Sequence, residues 1–238
     1  PRTIQHNPEP PKEIKPHPYG IELGMLLKML QDTKSHWLTG FLSTDFSRVS
    51  TETAEQICKA AGLSGKKRPR DVAGADAERL YKTIQATKLM APPTNCLSPI
   101  GEKAILAGLF KQIKGDFYTA VTRPPAVYRG NPFVIEAGLA WGRGPEQAAL
   151  DAANVQKAPL AEGESHDGDD NELARVMRFA NRVPLLYQQS ACSTFKAVLD
   201  TTWKNYGIGQ SRGAPPAGPL VIFVHMASVW VPFTSESK

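Results

Sequence analysis

From Ile21 to Lys114 the apolar residues of this chain recur at intervals of three and four, and from Phe117 onward they recur at intervals of two. A chain that changes period once in this way builds helices first and a sheet second, which predicts an α+β fold. In the helical part, Ile21, Met25, Leu26, Met29 and Leu30 define an amphipathic helix over 19–30, and a short helical turn is expected around Trp37 to Leu42. Ser50 stands as an N-cap ahead of Glu52 and Glu55, Ile57 and Ala61 fall four apart, and Gly62 occupies the C′ position of a second helix. Asp76 opens a third helix with Leu80, Ile84 and Tyr81 turned inward.

Pro92, Pro93 and Asn95 then mark a boundary. Beyond it, Ser98 followed by Pro99 predicts an N-cap and first helical residue, with Ile105, Leu109 and Ile113 on one face of a helix reaching about Lys114. Four stretches alternate as strands do: Phe117 to Thr122, Phe133 to Trp141, Leu173 to Phe179 and Leu220 to Ala227. A helical pattern from Ala191 to Asp200 lies between the last two. The expectation is a small all-helical module followed by an α+β domain with a four-stranded sheet.

The ends and the charge distribution refine this plan. Pro1, Pro8, Pro10, Pro11, Pro16 and Pro18 make the start an extended lead-in, and Pro1 in place of an initiator Met reads as the edge of a cut fragment. The net charge is +5, but 143–172 holds two basic residues against eight acidic ones, so the other 208 residues carry +11. That acidic stretch is expected to be a solvated insertion. Its Asp167, Asp169 and Asp170 lack the spacing of a calcium loop. The longest apolar run, Pro219 to Phe233, is interrupted by His225 and Ser228 and is shorter than the ~18 residues of a membrane helix. No membrane partner is expected. Cys58, Cys96 and Cys192 are an odd set without metal-ligand spacing, which points to reduced thiols and a cytoplasmic setting.

Chemistry-bearing groups are few. There is no phosphate-binding GxxxxGK[ST], and Gly207 and Gly209 stand without the third glycine of a dinucleotide fingerprint. Ser190, Cys192 and His225 show no pairing that would make a hydrolase triad, and His225 reads as a satisfied core histidine, whereas His17 and His36 read as surface residues. The cations are more informative. Lys66, Lys67, Arg68 and Arg70 cluster in a loop joining two helices, where amides at the next helix start would add to phosphate attraction. In Trp203, Lys204 and Tyr206 a cation lies between two aromatics in sequence, a combination suited to phosphate and to base or sugar stacking. A solvated loop and plain core packing of Trp203 remain the alternative readings of these two features.

Four blocks carry a resemblance: KPHPYGIELGMLLKML from Lys15 to Leu30, CLSPIGE from Cys96 to Glu102, TRPPAVYRGNPF from Thr122 to Phe133, and the stretch from Arg178 to Ser237. In order and wording they resemble the B subunit of type IIB DNA topoisomerases, the topoisomerase VI family. The resemblance implies a lead-in over 1–15, a helix-two-turns-helix domain over 16–95, and a transducer domain over 96–238 with a ribosomal S5 domain 2-like sheet. It further implies a GHKL-type ATPase domain before this stretch and a stalk helix after it, neither of which these residues contain. ATP and magnesium would therefore be cofactors of the full-length protein, with none bound by the fragment alone and no catalytic residue within it. Lys238, in the family's loop after the last strand, is implied as the contact to the γ-phosphate of ATP, and Trp203, Lys204 and Tyr206 match the family's WKxY DNA-contact motif. The partners implied are DNA, the A subunit that cleaves it, and a second B subunit in an A2B2 assembly. The rival reading is a non-catalytic DNA-binding or scaffolding relative.

Overall fold

A computed structural model describes residues 12–142, 173–186 and 188–231; the acidic stretch 143–172 and Lys238 lie outside the described residues. Two units emerge from the contacts. One holds Pro1–Ser98, Pro125–Phe133 and Ser228–Trp230, and the other holds Pro99–Pro124, Val134–Ala227 and Val231–Lys238.

The first unit is built on four helices: α1 (Leu23–Asp32), α2 (Leu38–Asp45), α3 (Thr51–Ala60) and α4 (Ala75–Ala86). Their apolar stripes converge on one core in which Leu26, Leu30, Phe41, Ile57, Leu80 and Ile84 are buried. The caps of α3 follow the sequence: Ser50 Oγ accepts the Thr53 N–H at 3.1 Å, and Gly62 adopts φ +67 after the helix. His17 departs from its expected surface position. It is buried, its Nε2–H donates to the Met90 carbonyl at 2.9 Å, and its Nδ1 accepts the Tyr19 N–H. A partner 73 positions away, invisible to a local pattern, decides its burial. A two-stranded hairpin of β2 (Ala126–Tyr128) with the start of β3 (Asn131–Trp141) completes this unit.

With these helices the described strands make the expected α+β fold, but they form a single sheet of six, not four. The additional two are β2, of three residues, and β5 (Val183–Pro184), of two, both too short to show alternation. Within the second unit β1 (Phe117–Thr122) pairs antiparallel with β3, β4 (Arg175–Ala180) pairs parallel with β6 (Leu220–Ser228), and the order is β1-β3-β6-β4-β5. Helices α5 (Glu102–Gln112) and α6 (Ser193–Asp200) belong to the same unit. Ile105 and Leu109 of α5 pack on the sheet at Gly138, where a Cβ would meet Ile105 Cγ2 and Leu109 Cδ1 at 2.8 Å. This helix starts at Glu102 behind Gly101 (φ +86), three residues later than Ser98 and Pro99 predict. The reason is a distant carboxylate: Glu136 takes the N–H groups of Ile100 and Gly101, each at 2.7 Å, and holds those residues outside the helix.

Candidate nucleic-acid interface

Trp203–Tyr206 forms a single 3-10 turn directly after α6. With three residues per turn, positions 203 and 206 fall on the same side and 204 points about a third of a turn away. The turn ends at Gly207 in the left-handed region (φ 74), whose N–H bonds back to the Trp203 and Lys204 carbonyls. Trp203 faces inward: it is 8% exposed, packs with Val198, Leu220 and Ile222, and donates its indole N–H to the Val198 carbonyl at 2.8 Å. Tyr206 is 72% exposed, with its ring centroid 6.3 Å from that of Trp203, and Lys204 is exposed. The cation is thus not sandwiched between the two rings, as the linear order suggested. Trp203 is the anchor, and Lys204 and Tyr206 are what the turn offers to solvent. Beside it lies a cavity of about 420 Å³ with Phe117, Leu139, Trp141, Tyr206 and Ile208 in its wall.

The basic loop sorts its four cations differently. Lys67 Nζ contacts Asp76 at 2.5 Å, and Arg79 reaches the other oxygen of the same carboxylate at 2.6 Å. The Lys67 contact leads the effects that hold the Asp76 carboxyl below the usual range. Arg70 Nε donates to the Gln31 carbonyl at 3.1 Å. Lys66 and Arg68 are exposed. The expected help from the next helix start is not available there, because α4 carries Asp76 and Glu78 in its own first turn. Lys66 and Arg68 are the loop's open cations among the described residues.

His225 is the satisfied core histidine that the sequence suggested, and the acid that satisfies it, Glu136, was not anticipated. Glu136 on β3 is fully buried, and besides the Ile100 and Gly101 amides it accepts the Thr122 hydroxyl and His225 Nδ1–H, both at 2.7 Å. His225 Nε2 accepts the Arg182 N–H at 3.0 Å, which fixes the neutral Nδ1–H tautomer. Burial opposes the charge on Glu136, but these four donors outweigh it and hold the carboxyl below its ordinary range. Burial dominates at His225 and lowers its pKa in spite of Glu136. Glu alternating with apolar residues inside a strand was the available signal, since an in-facing acid needs donors.

The topoisomerase VI B subunit transducer profile matches residues 92–238, which include the Trp203–Tyr206 turn. The chain belongs to the topoisomerase VI B subunit family. Among its relatives, the B subunit of type 2 DNA topoisomerase 6 from Methanosarcina mazei is 47% identical over 237 residues, covering 100% of this chain and 34% of the relative. The protein of the same name from Archaeoglobus fulgidus is 42% identical over 237 residues, with 100% and 35% covered, and that of Saccharolobus solfataricus 30% over 240 residues, with 100% and 40% covered. The chain therefore spans about a third of the length of these topoisomerase VI relatives. The cavity beside Tyr206 is walled mainly by apolar side chains, and no group of three His, Cys, Asp or Glu able to hold a metal occurs among the described residues. The apolar wall of that cavity does not fit a nucleotide–magnesium group. Among them no helix is long and apolar enough to cross a membrane.

Proposed function

We propose that this chain is the coupling part of a topoisomerase VI B subunit, a helix-two-turns-helix domain joined to a transducer, that links an ATPase domain outside it to DNA strand passage by an A subunit. The observation that carries this reading is the family match over 92–238 with an exposed Lys204 and Tyr206 on a turn anchored by Trp203. A flexible point charge next to an exposed phenol ring suits a nucleic-acid backbone: the ammonium meets phosphate and the ring packs on sugar or base. Lys66 and Arg68 extend the same chemistry in the helical unit, while Lys67 and Arg70 are held by Asp76 and the Gln31 carbonyl. Lys238 is the residue of this chain proposed to contact the γ-phosphate of an ATP bound with magnesium elsewhere in the full protein. The working assembly would be two such subunits with two A subunits, in the cytoplasm.

Two substitutions in the full-length protein with its A subunit separate the roles. Lys204→Ala removes one phosphate contact and lowers the salt slope of DNA binding by about 0.9. Lys238→Ala leaves nucleotide-free DNA binding unchanged and reduces DNA-stimulated ATP turnover. DNA titrations without nucleotide and ATPase assays on both variants test this. Loss of DNA affinity in Lys238→Ala with ATPase intact would reassign Lys238 to the DNA surface.

A further inference from the structure

Five non-glycine residues among those described have positive φ, and three of them are arginines. Two of these, Arg48 (φ 61) and Arg129 (φ 46), are drawn to the same small region of the first unit. Arg129 and Gly130 (φ 72) are the two central residues of the β2–β3 hairpin, whose flanking Tyr128 and Asn131 pair. Positive φ at both positions is a type I′ turn, for which Asn-Gly is the favoured sequence. Gly130 has to be glycine for a second reason, because a Cβ there would come within 2.7 Å of Gly20 N and 2.9 Å of His17 Nδ1. That close approach seats the hairpin tip on the His17 segment. On another side, the Ser47 N–H donates to the Pro16 carbonyl at 3.0 Å and brings Arg48 up to His17, whose pKa Arg48 helps to lower after burial itself. Tyr19 bonds both Thr87 and Leu89, which sets Lys88 beside the same segment.

The result is that the stretches carrying Lys15, Arg48, Lys88 and Arg129, all exposed, meet around the His17–Tyr19 turn, in which His17 and Pro18 are buried. Glu13 and Glu22 are the acids on the shared segment, so the cations are in excess. Among the described residues, Asp76 is paired with Lys67 and Arg79 and Glu136 with His225, and none of the four converging cations is compensated by an ion pair. Arg129 lies over the Tyr128 ring at 5.4 Å, and Tyr128 is 65% exposed, giving a stacked guanidinium and phenol at the hairpin tip. Left-handed backbone is costly for arginine and cheap for Asn or Gly. An arginine at each position despite that cost points to a role for its guanidinium.

We infer that Lys15, Arg48, Lys88 and Arg129 with Tyr128 form a second contact surface for the sugar–phosphate backbone of duplex DNA, distinct from the Trp203–Tyr206 turn and the Lys66–Arg70 loop. The inference rests on the reading of this chain as part of a DNA-binding subunit. Cations spread over four segments match a polyanion better than a single small anion, and the close seating of the hairpin tip on the His17 segment fixes where Arg129 starts from.

The test uses Arg48→Asn and Arg129→Asn, singly and together, in the full-length protein. Asparagine suits the left-handed backbone, so the urea midpoint is expected to hold or rise. Duplex affinity, measured by fluorescence anisotropy, is expected to fall on the order of tenfold in the double variant, and the slope of log K against log salt to shrink by about 1.8. Equal affinity and slope in the double variant, while Lys204→Ala weakens binding, would overturn this surface and leave the Trp203–Tyr206 reading standing. If the unsubstituted protein binds no duplex, both readings fall. If the double variant keeps duplex affinity but loses binding to poly-glutamate, the partner is an acidic polypeptide and the proposal is wrong.

Discussion

Glu136 and His225 face each other on neighbouring strands β3 and β6, with Oε2 and Nδ1 2.7 Å apart and no solvent exposure on either side chain. The pair is complete only with a neutral imidazole, because the Arg182 N–H occupies Nε2 and a second proton there would set donor against donor. Truncating Glu136 to Ala leaves the amides of Ile100 and Gly101 and the Thr122 hydroxyl without their acceptor. The expected loss of stability is about 3–5 kcal/mol, the range for breaking a buried charged network. Urea unfolding at neutral pH measures it; a loss within experimental error would show that water replaces the carboxylate.

The same geometry fixes a sign for pH dependence. His225 and His17 both have folded pKa values below the ordinary value, in each case through burial first. The unfolded chain therefore takes up the protons first, and each histidine's contribution is complete above its unfolded pKa of about 6.5 and is lost as pH falls from there toward its folded value. Glu136, also lowered, adds its own loss only below its unfolded pKa of about 4.3. Unfolding midpoints are thus expected to be flat above about pH 7 and to fall on acidification below about 6.5. His225→Asn, which keeps a donor toward Glu136, and His17→Gln, which keeps one toward Met90, are less stable but have a shallower slope in that window. An unchanged slope in the double variant would assign the pH dependence to other groups.

Trp203 and Tyr206 divide structure from contact. Trp203→Ala removes a side chain that is 8% exposed together with its bond to the Val198 carbonyl, at an expected cost of about 3–5 kcal/mol. Tyr206→Ala acts on a ring that is 72% exposed, so stability is expected to change by less than about 0.5 kcal/mol while DNA affinity falls. Thermal melts and DNA titrations on the two variants check the division. A stable Trp203→Ala variant would mean that the turn is not anchored as described.

Gly138 is the contact point of α5 on the sheet. Leu109 Cδ1 is the end of a flexible side chain and can move, but Ile105 Cγ2 is on a branched carbon close to the helix backbone. Gly138→Val is therefore expected to displace the helix and cost about 1–3 kcal/mol, with Gly138→Ala milder. Ile105→Ala in the Gly138→Val background should recover part of the loss; no recovery would place the strain elsewhere.

What the sequence disclosed and what it withheld follow from the range of the forces involved. Helices α1 to α4, the Ser50 cap and Gly62 were legible because periodicity and capping act within a few residues. The start of α5 was misplaced because Glu136 lies 35 residues from Gly101, and His17 was misassigned because Met90 lies 73 residues away. At the candidate interface the WKNY motif was visible, yet the division between a buried Trp203 and an exposed Tyr206 depends on the packing of Trp203 against Val198 and Leu220, since the 3-10 turn itself sets both positions on one side. The convergence on His17 joins four stretches of chain, and no window of sequence contains it.

The Lys66–Arg70 loop gives the final prediction, in which neighbouring cations behave unequally. Lys67 is held by Asp76, so Lys67→Ala is expected to change DNA affinity little, its charge being already matched. Lys66 and Arg68 are exposed, and Lys66→Ala and Arg68→Ala are each expected to lower the salt slope by about 0.9. Asp76→Asn releases Lys67 and Arg79 from their shared carboxylate and is expected to raise duplex affinity, since the local net charge increases by one. Anisotropy titrations across a salt series on the four variants decide the matter. A uniform effect across Lys66, Lys67 and Arg68 would show that the Asp76 contact opens when DNA binds, and no effect from any of the three would remove this loop from the DNA surface.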